Sequence, residues 1–235
     1  MDMVCGTRLA KVAGRSATRI TVTVIAVILA TAALSAGAAT LELRVRDRDG
    51  RGVPDVVVVA AAAEPALSTA AHSMSTAVMD QQNRRFVPQV LVVQTGTPIS
   101  FPNNDTVSHQ VYSFSPAGRF RLSLYKGEAH SPVAFDRPGL VVLGCNIHDD
   151  MVGYIFVADT PHFATTDAQG NAEIPDVPPG RYRLDAWGPR VADRSETLVR
   201  EVTLARADKV VAEWRLQRPL RPHPAPGPRD VDWDY

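Results

Sequence analysis

Four side chains stand out for the chemistry they allow. Cys145 carries a thiol, His148 an imidazole three residues later and Met151 a thioether three residues after that, all within Gly144-Cys-Asn-Ile-His-Asp-Asp-Met-Val-Gly153. A second imidazole, His109, lies 36 residues upstream in Asn103-Asn-Asp-Thr-Val-Ser-His-Gln-Val111. Two imidazoles, one thiolate and a weak, long thioether are the donor set of a copper site that passes single electrons. The soft sulfurs stabilise Cu(I), and the imidazoles support Cu(II). Other readings of the same residues stay open. Zinc accepts a Cys-His-His set, although a thioether suits it poorly. Asp150 offers an oxygen in place of Met151 or beside it. Cys145 and Met151 are also ordinary core residues when taken singly. His72, His130, His162 and His223 lack ligand spacing and read as surface or turn residues.

The compartment bears on the thiol. Residues 1–38 read as a secretory signal peptide: a basic stretch ending at Arg19, an apolar core from about Ile20 to Leu34, and the small-residue cleavage site Ala36-Gly37-Ala38. Cleavage there starts the mature chain near Ala39. An uncleaved N-terminal membrane anchor is the alternative, but the apolar run is short for a span of about 20 residues. Cleavage removes Cys5 and leaves Cys145 as the lone thiol, which cannot form an internal disulfide in an oxidising compartment. Removing the leader also takes away Arg8, Lys11, Arg15 and Arg19 against Asp2, so the remainder carries a net charge of about −3. No basic run or face stands out, so nothing suggests a nucleic-acid binder. No Ser/His/Asp set, paired carboxylates or phosphate loop supports independent catalysis.

The elements that must hold the four donors are strands. Of the 235 residues 45% are hydrophobic and 21% charged, enough apolar content for one large or two small cores. Leu41–Arg46 alternates apolar and polar, Asp47-Arg-Asp-Gly-Arg-Gly52 is a turn cluster, and Val53–Ala60 is more continuously apolar; the spacing predicts a β-hairpin. Residues 61–76 are small and polar and read as a linker. Short β patterns return from Ala77: residues 77–79, 86–93, 98–101, 109–114, 120–125, 133–135, 140–143 and 154–158, with Gly- and Pro-containing turns between them. Such spacing predicts a β-sandwich. Phe163–Ile174 reads as another hairpin turning at Asp167-Ala-Gln-Gly170, and Val177–Trp187, Leu198–Leu204 and Val210–Leu216 as further strands. From Arg218 the chain is proline-rich and reads as extended or disordered.

Residues 77–158 resemble the cupredoxins, the blue-copper family that includes plastocyanin and amicyanin. The matching pieces are Phe86-x-Pro88, Gly96-x-x-Ile99-x-Phe101-x-Asn103-Asn104, His109-x-Val111, Pro138-Gly139, Cys145-x-x-His148 and Met151-x-Gly153-x-Ile155-x-Val157. The short ligand loop has amicyanin-like spacing, and the Cys-Asn-Ile-His-Asp run is similar to cupredoxin-like proteins labelled methylamine utilisation proteins. Leu143 and Gln110 replace an aromatic and an Asn common in the family, and Asp149 and Asp150 are unusual in the loop. Residues 41–60 and 163–216 resemble the two parts of a carboxypeptidase-regulatory-like (transthyretin-like) β-sandwich, through Val45-x-Asp47-x-x-Gly50-x-x-Val53-Pro54, Thr166-Asp167-x-x-Gly170 and Val177-Pro-Pro-Gly180-x-Tyr182-x-Leu184.

Together the resemblances imply an all-β chain: a cupredoxin-like Greek-key β-sandwich at 73–160, inserted into a discontinuous transthyretin-like sandwich made of 41–72 and 161–217. Residues 1–38 are the leader, and 218–235 the tail. They imply one type 1 copper ion on His109, Cys145, His148 and Met151. Cys145 supplies the main electronic coupling, His109 is the buried imidazole, His148 the loop imidazole near the surface and Met151 the axial ligand. Ser108, Gln110 and Asn104 are candidates to support them. The implied function is periplasmic transfer of single electrons to or from a redox partner protein, a dehydrogenase or cytochrome, with no stable membrane span after cleavage. Copper delivery without electron transfer, and a metal-free surface binding module, are the competing functions.

Overall fold

The computed structural model describes residues 37–64, 75–127 and 130–222. The leader up to residue 36, most of the linker with His72, and the proline-rich stretch from His223 lie outside the described residues. In chain order the strands are β1 (Ala39–Arg46), β2 (Val57–Ala62), β3 (Ala77–Val78), β4 (Asp80–Gln82), β5 (Arg85–Val87), β6 (Val90–Gln94), β7 (Ile99–Ser100), β8 (Tyr112–Ser115), β9 (Gly118–Arg121), β10 (Gly139–Gly144), β11 (Val152–Ala158), β12 (Phe163–Thr165), β13 (Asn171–Val177), β14 (Gly180–Trp187), β15 (Val199–Leu204) and β16 (Lys209–Arg215). One short 3-10 turn covers Ser195–Leu198. The all-β expectation holds, and no helix among the described residues is long and apolar enough to cross a membrane.

One core lies among two sheets, β13-β1-β16 and β12-β2-β14-β15. Alternation places it. Leu41, Leu43 and Val45 of β1 point inward, as do Tyr182, Leu184 and Ala186 of β14, and they meet Ile174, Ala212 and the fully buried Trp214. The indole N–H of Trp214 donates to Leu198 O at 2.9 Å, so its one polar atom is satisfied.

The strand pairing differs from the sequence expectation in two places. β1 and β2 do not pair as a hairpin: β1 lies between β13 and β16, whereas β2 lies between β12 and β14. Phe163–Ile174 is likewise not a hairpin, because β12 pairs with β2 and β13 with β1. Both connections carry the chain from one sheet to the other. Their turns are alike. Asp47 Oδ1 accepts the N–H groups of Asp49 and Arg51, and Asp167 Oδ1 accepts those of Gln169 and Asn171. They also lie against each other. The Arg46 guanidinium donates to Gln169 O, Gly170 O and Asn171 Oδ1, and a Cβ on Gly52 would fall 2.1 Å from Gln169 O.

The second core is built within 79–157. Its main sheet runs β6-β11-β10-β8-β9, with β10 and β11 antiparallel and Gly144 opposite Val152. The small pairs β3-β7 and β4-β5 accompany it. Met79, Phe86, Ile99, Val111, Val141, Leu143, Ile155 and Val157 fill the core, with Cys145 and Met151 among them.

The two cores meet along a seam. Val57 and Val59 of β2 pack with Val90 and Ala158, and Tyr154, Phe156, Phe163 and Trp187 complete the cluster. Trp187 contacts both aromatic rings of β11, at 5.6 Å to Tyr154 and 5.9 Å to Phe156. The seam explains why 56–60 reads as an unbroken apolar run. Val58 and Ala60 face one core and Val57 and Val59 the seam, so β2 is buried on both faces.

Candidate metal centre

The loop from Cys145 to Met151 is the connection between β10 and β11, so two paired strands fix both of its ends. Its far end is closed by the N–H of Met151, which donates to His148 O at 2.9 Å. At its start, Gly144 lies under the Tyr112 ring, where a Cβ would come within 2.8 Å. Cys145 is 2% exposed and Met151 1%, while Ile147 between them is 51% exposed. The loop therefore turns its sulfurs inward and its apolar tip outward.

His109 arrives from a separate segment. Its backbone forms a two-way bridge with Tyr125, N–H to O at 3.0 Å in each direction. The preceding loop is tied by Asn103, whose side-chain amide donates to Val107 O and Tyr125 O at 3.0 and 2.8 Å. Asn103 Oδ1 accepts the N–H of Asp105 at 3.0 Å. These bonds deliver the His109 ring to the loop with 0% exposure.

Nitrogens of His109 and His148 and the sulfur of Cys145 all lie within 4.8 Å of one another. Cys145 Sγ and His109 Nδ1 are 3.7 Å apart, and the imidazole centroids 5.0 Å. Burial pushes the Cys145 thiol up, but the His109 side chain and the N–H groups of Ile147, Gln110 and His148 outweigh it and hold the thiol below its ordinary value. Burial presses His109 down, yet Cys145 and Asp105 together raise it. His148 is lowered, by burial first and then by the charges of His109 and Arg84. A sulfur whose thiolate is favoured and a loop imidazole whose neutral form is favoured suit metal binding.

The residues present fit a soft, borderline cation. Among the described residues, His148 Nδ1 is buried without a hydrogen-bond partner, which is costly unless something else takes its lone pair. The cluster supplies that something a position. Three of the four expected donors are thus brought together. Met151 shares the same core as Cys145, whereas Asp150 is exposed and lies outside the cluster, which favours the thioether over the carboxylate as a fourth donor. His130 and His162 lie elsewhere, against the Tyr125 and Tyr182 rings.

Of the expected supporting residues, Gln110 reaches Cys145 through its backbone N–H, and Asn104 donates to Asp80 instead, at 2.9 Å. The side chain that does touch a donor nitrogen belongs to a residue the sequence does not single out. Asp105 Oδ2 lies 2.9 Å from His109 Nε2. Burial opposes ionisation of Asp105, but the Arg84 N–H, His109 and the Thr106 N–H outweigh it and bring the carboxyl from 3.8 to about 2. The carboxyl thus stabilises the fold fully above its unfolded value, and that contribution is lost as pH falls through about 2. The amount is on the order of 2 kcal/mol. Acid titration of the metal-free protein, followed by circular dichroism, should show this loss between about pH 4 and pH 2. Asp105→Asn should flatten that part of the curve.

No family model and no curated protein matches the chain. Among solved structures it is similar to an oxidised amicyanin variant, at 19% identity over 35% of this chain and 81% of that one, with a TM-score of 0.32. It is similar to a purple cupredoxin from Nitrosopumilus maritimus, at 20% identity over 36% of this chain and 99% of that one, TM-score 0.31. A copper-containing nitrite reductase from Thermus scotoductus matches at 24% identity over 42% of this chain but only 26% of its own length, TM-score 0.35.

Proposed function

We propose that this chain is a periplasmic copper protein that carries single electrons. The observation that carries the reading is the cluster of two imidazoles and one buried sulfur within 4.8 Å, with His148 Nδ1 left without a protein partner. His109 Nδ1, Cys145 Sγ and His148 Nδ1 would hold the ion, with Met151 as a weak fourth donor. Bound copper supplies a one-electron couple. The chain's own residues do the rest. Hydrogen bonds to Cys145 favour its thiolate, the form that binds metal. β10, β11 and the His109–Tyr125 bridge fix the donors before metal arrives, which keeps their movement small when charge changes. His148 is only part-buried and sits beside the exposed Ile147, so this end of the sandwich is where a redox partner protein would meet the site. The outer core, formed from 39–60 and 174–216, is read as a carboxypeptidase-regulatory-like sandwich that presents the copper sandwich through the seam at Trp187. Independent catalysis is not part of the proposal.

The test is a visible spectrum and a voltammogram of the mature protein loaded with copper and oxidised. A strong thiolate charge-transfer band and a reversible one-electron wave are expected. Copper bound without that band overturns the reading, and a band without a reversible wave points to copper delivery.

A further inference from the structure

His109 is the most enclosed of the three donors, and its outer nitrogen is engaged by Asp105 Oδ2 at 2.9 Å. The carboxylate is itself held from two sides. Its Oδ2 accepts the N–H of Arg84 at 2.6 Å, and its Oδ1 accepts the N–H of Thr106 at 2.6 Å and the Thr106 hydroxyl at 3.3 Å. Arg84 belongs to the two-residue turn between β4 and β5, where Asn83 and Arg84 have φ of 52° and 58° and Gln82 pairs with Arg85. Two left-handed residues in that turn match the twist of the paired strands and aim the Arg84 N–H at the site. The His109 loop and the β4–β5 turn thus converge on one carboxylate, whose side chain is 6% exposed.

We propose that Asp105 is the positioning residue for His109 and that its charge biases the site toward the oxidised metal. The inference rests on reading the His109–Cys145–His148 cluster as a copper site. A neutral imidazole carries one proton, and an ionised carboxylate can only accept. The contact therefore keeps the proton on Nε2 and leaves the Nδ1 lone pair facing Cys145 and His148. The other tautomer would point an N–H at the ion. The same carboxylate places a negative charge behind the ligand, where little water screens it. It attracts Cu(II) more than Cu(I), because the two differ by one unit of charge. The Arg84 guanidinium acts in the opposite sense, but it is exposed and screened. Metal-binding imidazoles held this way lose about 10–100-fold in metal affinity when the outer partner is removed.

The first measurement needs neither copper nor substitution. Nitrogen-15 NMR of the metal-free full chain, followed upward in pH until the ring is neutral, should show the remaining proton on His109 Nε2; a neutral ring protonated on Nδ1 instead overturns the proposal even if every variant fails to fold. The second uses Asp105→Asn and Asp105→Ala. Asp105→Asn keeps an acceptor and removes the charge, so the Cu(II)-to-Cu(I) affinity ratio should fall by about tenfold, a rise of about 59 mV for one electron. Asp105→Ala should add a loss of about 10–100-fold in Cu(II) affinity and a mixture of His109 tautomers. A potential unchanged in both variants while the thiolate band persists sinks this inference alone. Copper that gives no thiolate band in the unsubstituted protein sinks the copper reading, and the charge effect with it.

Discussion

Cys145→Ser is expected to abolish the thiolate charge-transfer band of the copper-loaded protein. It should also weaken copper binding by more than the ~10–100-fold that loss of an outer hydrogen-bond partner costs. The reason is the ionisation of the donor. The Cys145 thiol is held below its ordinary value by His109 and by three backbone N–H groups, so the anionic sulfur forms more readily than in a free cysteine. A serine hydroxyl at that position stays protonated and offers a hard neutral oxygen. The fold should survive the change. Burying a hydroxyl costs about 1–3 kcal/mol when it finds no partner, but the N–H groups of Ile147, Gln110 and His148 that now face the sulfur would meet it. Copper titration with absorption readout, beside thermal unfolding of the metal-free variant, separates the two effects. A band that persists in Cys145→Ser would remove Cys145 from the site. A metal-free variant that unfolds would show that the sulfur is needed for packing instead.

The donors were legible because three of them sit in one short connection. Cys-x-x-His-x-x-Met fits the loop between β10 and β11, where a hairpin can present several side chains to one point. His109 was legible through its order in the chain. Asp105 was not, although it makes the closest side-chain contact to a donor nitrogen. In Asn103-Asn-Asp-Thr it looks like one turn residue among several, and only the Arg84 N–H, from a distant hairpin, shows what it is for. The two mistaken hairpins have a related cause. Alternation shows which face of a strand is buried but not which strand lies beside it. In β1 and β2 both inward faces look into the same core, so pairing with each other and pairing with β13, β16, β12 and β14 predict the same pattern. The double-sided burial of β2 was written in its unbroken valines, but the Trp187, Tyr154 and Phe156 that cover its second face come from elsewhere in the chain.

Phe86 and Gly153 are expected to give the largest stability effects near the site, and to compensate each other. Phe86 lies on β5, two residues after the Arg84 whose N–H holds Asp105, and it is 2% exposed. Gly153 lies on β11, two residues after Met151 and opposite Leu143, which itself is two residues before Cys145. A Cβ on Gly153 would stand 2.8 Å from the Cβ, Cγ and Cδ2 of Phe86, so the ring rests directly on the backbone behind the ligand loop. Phe86→Ala should cost about 3–5 kcal/mol through the cavity it leaves. Gly153→Val forces branched carbon into occupied space, where overpacking costs about 1–3 kcal/mol, and it should displace Met151 and broaden the copper spectrum. In Phe86→Ala with Gly153→Val, the crowding Cγ and Cδ2 are gone and only the Cβ at position 86 still presses on the valine, so the relief is partial. The double variant should therefore be less destabilised than the two singles added together, with a coupling of about 1 kcal/mol or more in urea unfolding. Strict additivity would mean that the ring and the glycine act on separate parts of the core, and the ligand loop would then owe its backing to other residues.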